Sequence, residues 1–495
     1  MKRALTLLLA VMSAGCAYYN AMWSAERYAK DARRAERRGQ VAEARSQWAQ
    51  AAVKAERVAI RHPRSRWADD ALTLQAEGLA RSGSCDEAGD VIKRVRETVS
   101  DRVLLERVSL VDAECALNAR QPVQAQAALA PALASRDESR RSRAELLAGH
   151  AAAALLDYDA AVTHFERSHE TAARPALARV LITADRPTDA TRVIESLTGV
   201  EYATDRPDLL TRLAGTAGPP AASTALDRLL ARGKRIPFQE QSRLLIADAD
   251  RRFATGDYEA AAERYQRAAT VAPAATSEAG LAALGTQRVL LTGVTGRAEL
   301  KPIDSALARL TMEPGAGAAK RLLDLVRQVA LIPEAPAAGF RAAEVARDSL
   351  SAPALAGSLF LAVADRDTAS IYAPKALVAA LSMLPDRRDS IVAVLDARYA
   401  TSPYTRAFYG EASVAYAAAE DSLARDLGVQ IARTTVPLAG RRVDMPLPGP
   451  RGPQLEDVEE ARGAARGGGR MRPASRPAPA AGRDRPPTPA GPERP

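Results

Sequence analysis

GDYEAAAERYQRAATVAP, residues 256–273, is the stretch that decides the fold. Gly256 marks a chain reversal. Ala261 follows five residues later, Tyr265 nine, Ala268 twelve and Pro273 seventeen. The same offsets run from Gly39 to Ala44, Trp48 and Ala51, from Gly83 to Ala88, Ile92 and Val95, and from Leu156 to Ala161, Phe165 and Ser168. Seven residues before each reversal stands a small residue: Ala32, Ala76, Gly149 or Ala249. Two antiparallel helices approach closely only where small side chains face each other, and a bulky residue further on fills the space between pairs. No such pair buries its apolar face alone, so pairs of this kind stack.

The pattern resembles the tetratricopeptide repeat. The resemblance implies an all-α fold, a solenoid of stacked antiparallel helix pairs, over residues 24–298. Composition agrees: 47 % of residues are hydrophobic but only 4 % aromatic, so alanine-rich helices in close contact account for the apolar content. Between the clear units, Leu104–Ser135 reads as a degenerate pair with Pro122 at the reversal and Cys115 at the small position. Residues 175–240 are blurred by Pro187, Pro207, Pro219 and Pro220 and read as irregular pairs. From about 299 to 434 the repeat signature fades, although helical pairs continue.

The first sixteen residues, MKRALTLLLAVMSAGC, place a basic head before a short apolar run, small residues and Cys16. That order is a secretory signal. Ending on cysteine, it resembles a bacterial lipoprotein signal, with Ser13 where that family usually has leucine. The resemblance implies cleavage after residue 15, acylation of Cys16 and a short tether over 16–23. Ala17 is not the aspartate that favours inner-membrane retention, so the expected location is the periplasmic face of the outer membrane. Two cysteines then remain, Cys85 and Cys115, in an oxidising compartment. Cys85 lies two residues after the Gly83 reversal, and with Cys115 at the small position of the next pair both fall near the same end of adjacent helices. They form a candidate disulfide.

The net charge of +9 is an arginine effect, since only eight of the 69 basic residues are lysine. The arginines alternate with acidic residues along the helices, which describes solvated faces rather than a nucleic-acid stripe. No nucleic acid, metal or cofactor is expected. Four histidines and isolated cysteines lack zinc-ligand spacing, and no catalytic signature survives inspection. Pro314–Lys320 lacks the Gly-Lys-Ser/Thr ending of a phosphate loop.

His62–Ala71, Asp367–Ala376 and Tyr399–Ala407 share an outline in which a serine precedes an aromatic residue by two positions. Each serine is expected to cap a helix. These turns resemble the inter-repeat turns of periplasmic tetratricopeptide proteins, notably the lipoprotein component of the outer-membrane β-barrel assembly machine and the coordinator protein of the Tol-Pal system. The resemblance implies a lipid-anchored scaffold whose first helices line a groove for a partner peptide or helix, with Arg243, Asp250 and Phe253 facing it in the Gly256 unit. Envelope biogenesis or outer-membrane assembly is the process it points to. The alternative is a helical cell-wall hydrolase with catalytic residues in the second half. Residues 435–495 are rich in Pro, Gly, Arg and Ala and read as a disordered tail. From Arg462 it carries eight arginines against Asp484 and Glu493, a charge suited to an anionic envelope surface.

Overall fold

A computed structural model describes residues 22–446, apart from 37, 39, 234, 315, 332–334, 412, 429–432 and 439–440. Residues 1–15, Cys16, the Gly39 reversal and the tail beyond 446 lie outside the described residues. Seven helix pairs open the chain: α1 (22–36) with α2 (Val41–Arg61), α3 (Ala68–Ser82) with α4 (Cys85–Thr98), α5 (Arg102–Asn118) with α6 (Pro122–Leu133), α7 (Glu138–Ala154) with α8 (Tyr158–Arg167), α9 (Ala173–Thr183) with α10 (Pro187–Ile194), α11 (Asp205–Ala217) with α12 (Pro219–Arg232), and α13 (Phe238–Ala254) with α14 (Tyr258–Val271). Next come α15 (Ser277–Thr292), α16 (Leu300–Leu310) and α17 (Ala316–Ala330). The described residues up to 292 together with 301–324 form one compact unit, and 293–300 together with the described residues from 325 onward form a second.

The reversals have one physical cause. Gly83, Arg120, Leu156, Asp185 and Gly256 all adopt positive φ, between 55° and 103°. At each, the reversal residue's N–H bonds the carbonyl three residues back, and the next N–H reaches five back, as Gly256 to Phe253 and Asp257 to Arg252. This is the left-handed double-bonded helix stop, which satisfies two otherwise orphaned carbonyls. The following residue is the N-cap of the second helix; the Asp157 and Asp257 side chains accept from Ala160 and Ala260 N–H there.

Two expectations are corrected by these stops. The third reversal is Arg120, not Pro122, which is the first residue of α6. Proline is favoured at that position because its missing N–H is an orphan anyway and its φ suits a helix. Counting from Arg120, the small position is Ala113 and the later ones are Ala125, Leu129 and Ala132, all 0 % exposed. Cys115 therefore sits two residues beyond the small position. The supposedly irregular stretch 175–240 holds two regular pairs. Asp185 is the reversal of the first, Pro187 begins its second helix, and Ala178, Ala190, Ile194 and Leu197 are 0 % exposed at the repeat offsets. Counted from Ala217, α11–α12 keeps the spacing with Leu210, Ala222, Leu226 and Leu229, where the turn is reduced to Gly218.

Packing at the small and bulky positions is tight. A Cβ placed on Gly149 falls 2.6 Å from the Phe165 ring, and one on Gly285 falls 2.2 Å from Tyr265. Trp48, Tyr265 and Phe165 are among the largest fully enclosed side chains. Cys85, at the start of α4, is disulfide-bonded to Cys115 near the end of α5, with Cα atoms 5.5 Å apart.

The second unit contains α18 (Pro336–Asp348), α19 (Pro353–Arg366), α20 (Tyr372–Leu381), α21 (Arg388–Arg398), α22 (Pro403–Phe408) and α23 (Val414–Leu427). A faint repeat survives there. Ser351 has φ 53°, Pro353 opens α19, and Ala356, Phe360 and Val363 are buried at the repeat offsets. The seventh residue back is Glu344 rather than a small one. Phe340, Phe360 and Tyr372 stack at centroid distances of 5.1 and 5.5 Å and form its aromatic core.

Two further expectations are revised. Only Ser402 caps its helix, accepting from Tyr404 N–H; Ser65 and Ser370 lie in the preceding turns, one accepting from Trp67 N–H and one donating to the Asp367 carbonyl. The aromatic residues two positions on, Trp67, Tyr372 and Tyr404, do turn inward. The first helix already includes residues 22 and 23, inside the expected tether, because Met22 is buried against the first pair. An antiparallel hairpin, β1 (Arg433–Leu438) and β2 (Arg441–Pro446), with Arg433 opposite Pro446, lies at the start of the stretch read as a tail, the rest of which falls outside the described residues.

Leu156 occupies the left-handed region while 70 % exposed, so its side chain adds strain without burying area. We expect Leu156→Gly to raise unfolding stability by about 0.5–1 kcal/mol, the αL relief exceeding the entropy cost of glycine, as read by denaturant melts. Gly285→Ala should do the reverse. Alanine favours the helix by about 1 kcal/mol, but the Tyr265 ring cannot retreat because its hydroxyl donates to Asp250 at 2.5 Å. A net loss of about 1–2 kcal/mol is expected in the same melts.

Candidate functional site

First helices of successive pairs touch one another from α3 through α11, and again between α13 and α15, whereas second helices scarcely meet except at α10 and α12. The first unit therefore bends toward its first helices, which form an inner wall from α3 through α11 and again over α13 and α15. The residues six and thirteen before each reversal face along this wall, beside the small position at minus seven. They are mostly charged: Arg33, Glu77, Glu114, His150, Arg179 and Asp250 at minus six, and Asp70, Arg107, Arg143 and Arg243 at minus thirteen.

The charges interlock across the junctions. Glu77 on α3 accepts two bonds from Arg107 on α5, at 2.8 and 2.9 Å, and a third from Arg33 on α1 at 3.3 Å. Burial alone pushes the Glu77 carboxyl up, but Arg107, Arg81 and Arg33 together hold it below the usual glutamate range. Arg81 reaches Glu36 at 3.3 Å and Glu114 at 3.8 Å, and Glu114 also receives Arg143 at 2.7 Å. Further along, Arg179 on α9 meets Asp205 at 2.5 Å, and Arg206 on α11 meets Glu240 at 2.7 Å. Cation–π contacts reinforce the first junctions, with Arg33 and Arg81 placed 5.2 and 5.1 Å from the Trp48 ring.

The ladder is interrupted at α7–α9. There the minus-six residue is His150, edge-on to Phe165 with ring centroids 5.1 Å apart. Desolvation, then the nearby Arg143 and Arg179, hold its pKa below the ordinary histidine value, although the side chain stays partly open to solvent.

The three side chains expected to face a groove differ in their surroundings. Arg243, 62 % exposed, bonds Glu278 on α15 at 2.6 Å. Asp250, half-exposed, accepts from Tyr265 and from Arg288 at 3.1 Å. Phe253 is 8 % exposed; it packs against Tyr258 and is covered by the Arg288 guanidinium 4.4 Å away. Its place is the core. The partners Glu278 and Arg288 escaped the sequence reading because they belong to the following helix, whose phase carries no reversal residue of its own.

Among the described residues no group of three or more His, Cys, Asp or Glu has the arrangement of a metal site, and no helix is long and apolar enough to cross a membrane. His164 is half-buried, its Nδ1 2.6 Å from Glu145.

The chain matches no protein-family model, and no curated protein matches it in sequence. In backbone trace it is similar to a tetratricopeptide repeat protein from Parabacteroides merdae, at 14 % identity and TM-score 0.29, over 54 % of this chain and 99 % of that one. It is also similar to a Rap protein complexed with competence and sporulation factor, at 12 % identity and TM-score 0.24, over 67 % and 99 %. The tetratricopeptide domain of P58(IPK) aligns at 13 % identity and TM-score 0.17, over 73 % and 98 %. The assignment of a tetratricopeptide-like solenoid rests on the chain's own reversals and offsets.

Glu77 joins three repeats, so its neutralisation tests the ladder. Its pKa is lowered in the folded state, so the stability it contributes is present above about pH 4.5, the ordinary glutamate value, and is lost as pH falls below it. Glu77→Gln should cost about 1–3 kcal/mol at neutral pH by leaving Arg107 without its charge partner. Its urea midpoint should also vary less than that of the parent between neutral and acid pH.

Proposed function

We propose that this chain is a helical-repeat adaptor whose inner wall of first helices binds a protein partner, as an extended peptide or a helix. The observation that carries the reading is the alignment of minus-six and minus-thirteen side chains along one face of successive pairs. Such a wall offers repeated charged side chains at fixed spacing, and stacked pairs use surfaces of this kind for extended recognition. Several of these groups remain substantially exposed while paired: Arg33 at 45 %, Arg243 at 62 % and Asp250 at 51 %. Partner carboxylates and guanidiniums can compete for them with little desolvation loss.

We further propose that Cys16 is the acylated attachment point and that the adaptor works at the periplasmic face of a bacterial outer membrane, in envelope biogenesis or outer-membrane assembly. The signal-like first sixteen residues support this, as does the pairing of Cys85 with Cys115, which suits an oxidising compartment. A lipoprotein cysteine carries more than one acyl chain. Each buried methylene contributes about 0.8 kcal/mol, so two chains hold where one is marginal. Confinement at a surface raises the effective concentration of partners there.

Cys16→Ser should move the chain from the membrane pellet to the soluble periplasmic fraction; retention in the membrane overturns the anchor. Affinity purification of the intact chain from detergent-solubilised membranes should retain a stoichiometric protein partner. Charge reversal at Arg243 and Asp250 together should release that partner, and a purification without one, or with one indifferent to the reversal, overturns the wall reading.

A further inference from the structure

The bend that brings first helices together parts the second helices. Between α8 and α10 this leaves an outer cavity of about 300 Å³. Leu177 and Leu181 of α9 form its floor, with Val162 and Phe165 on one side and Val193 on the other, and the charged side chains of Glu166, Arg174, Arg186, Asp189 and Arg192 complete the lining. Around the end of α10 lies a second cavity of about 410 Å³, bordered by Arg174, Tyr202, Arg232 and Arg235. Arg174 borders both, so the apolar cavity and the basic one meet at its side chain.

Charge in this region is unbalanced. Arg232 is engaged by Glu195 at 3.1 Å, and Arg186 and Arg192 are both engaged by Asp189. Arg174 and Arg235 are exposed and have no carboxylate partner among the described residues. Glu201 borders the basic cavity but stands against its own loop at Gly199.

The rim is rigid. Arg206, 0 % exposed, donates to the Leu197 and Gly199 carbonyls at 2.7 and 2.8 Å and to Glu240 at 2.8 Å. It therefore ties the loop after α10 to the first turn of α13. On the two segments joined by this tie are two large apolar side chains that bury little, Val200 between the lining residues Gly199 and Glu201 and Phe238 three residues beyond Arg235, at 66 % and 67 % exposed; neither lines the cavity itself. Apolar floor, unpaired guanidiniums and exposed apolar rim occur together on a preorganised frame, which lowers the ordering cost of binding.

We propose that this outer groove binds an acidic peptide segment of a protein partner, placing a bulky apolar side chain on the α9 floor and carboxylates on Arg174 and Arg235. The complementary charge selects this occupant: basic or neutral segments leave both guanidiniums unpaired. The site lies on the opposite side of the stack from the first-helix wall and does not depend on what that wall binds.

The test uses the full chain and a fluorescein-labelled peptide with a central leucine flanked by aspartate and glutamate, followed by fluorescence anisotropy. Saturable binding that weakens with added salt is expected, with no binding of the same peptide carrying lysine for each acid. Arg174→Glu with Arg235→Glu should weaken it by about tenfold or more, and Val193→Trp, which fills the groove side without changing its charge, should weaken it comparably. Charge reversal at Arg243 and Asp250 on the inner wall should leave it unchanged. Equal binding of the lysine peptide overturns the proposal. So does indifference to both groove variants, or self-association through this face in place of peptide binding.

Discussion

A left-handed stop between two helices fixes more of this molecule than any other element. It sets the second helix antiparallel to the first after a turn of two or three residues. The axes can then approach only where side chains are small, seven before and five after the stop. The bulky residue nine after the stop projects toward the next pair, and there Trp48, Leu129, Phe165, Ile194 and Tyr265 each fill the gap that small neighbours leave. The contacts Gly149–Phe165 and Gly285–Tyr265, where no Cβ fits, mark how little slack remains. Because each pair is held only by its neighbours, stability in such an array is a sum of local pair and junction terms. The Cys85–Cys115 bridge ties two successive pairs covalently. Its 30-residue separation restricts the unfolded chain by about 2–4 kcal/mol in the loop-entropy account.

How much of this the sequence discloses depends on which residue makes the stop. Where glycine makes it, as at Gly83 and Gly256, the offsets are visible at once. Arg120 and Asp185 make the same stop without glycine, Ser351 shares the positive φ but not the bond pattern, with Ala352 N–H reaching six residues back to Ala346, and nothing in their chemistry advertises positive φ. Pro122 then reads as the reversal itself and Pro187 as an irregularity, although each opens a helix. A pattern test anchored on the alanines instead, searching for small residues twelve apart with proline between them at plus nine, would have found Ala113 and Ala178. The candidate wall was legible to a similar degree. Repeat phase places Arg243 and Asp250 on it. Phase cannot say that Phe253 is closed off, since Arg288, the side chain that covers it, comes from the next helix. The outer groove is less legible still, because it arises from the separation of α8 and α10, a consequence of bend.

The charged wall raises a question of energetics. A row of Arg–carboxylate pairs is a weak source of net stability, because exposed pairs contribute about 0–1 kcal/mol and buried ones lose in desolvation much of what they gain. Its effect is on register. Glu77 can satisfy Arg33 and Arg107 together only when α1, α3 and α5 are in one phase, since guanidinium and carboxylate impose planar, directional geometry. A slip of one residue would leave buried charge without a partner. The alanine-rich core, uniform along each helix, discriminates poorly against such slips; the ladder and the occasional large ring supply the discrimination. Arginine in place of lysine is consistent with this, as fork geometry fixes a phase that a point charge does not.

The bend links these features to binding. Joining the first helices by ion pairs shortens the inner side of the stack, and the outer side must open wherever no compensating bulk is present. At α10–α12 the second helices stay in contact; at α8–α10 they do not, and the floor between them is Leu177 and Leu181 rather than polar backbone. The two sides consequently differ in kind. The inner wall offers side chains already engaged with one another, so a ligand there exchanges partners and gains mainly in specificity. The outer groove offers a concave apolar floor next to Arg174 and Arg235, which have no carboxylate to exchange, so a ligand there gains chiefly from new ion pairs. A solenoid built in this way can hold two partners of opposite demands on opposite sides, and the residues that stiffen one side are the cause of the opening on the other.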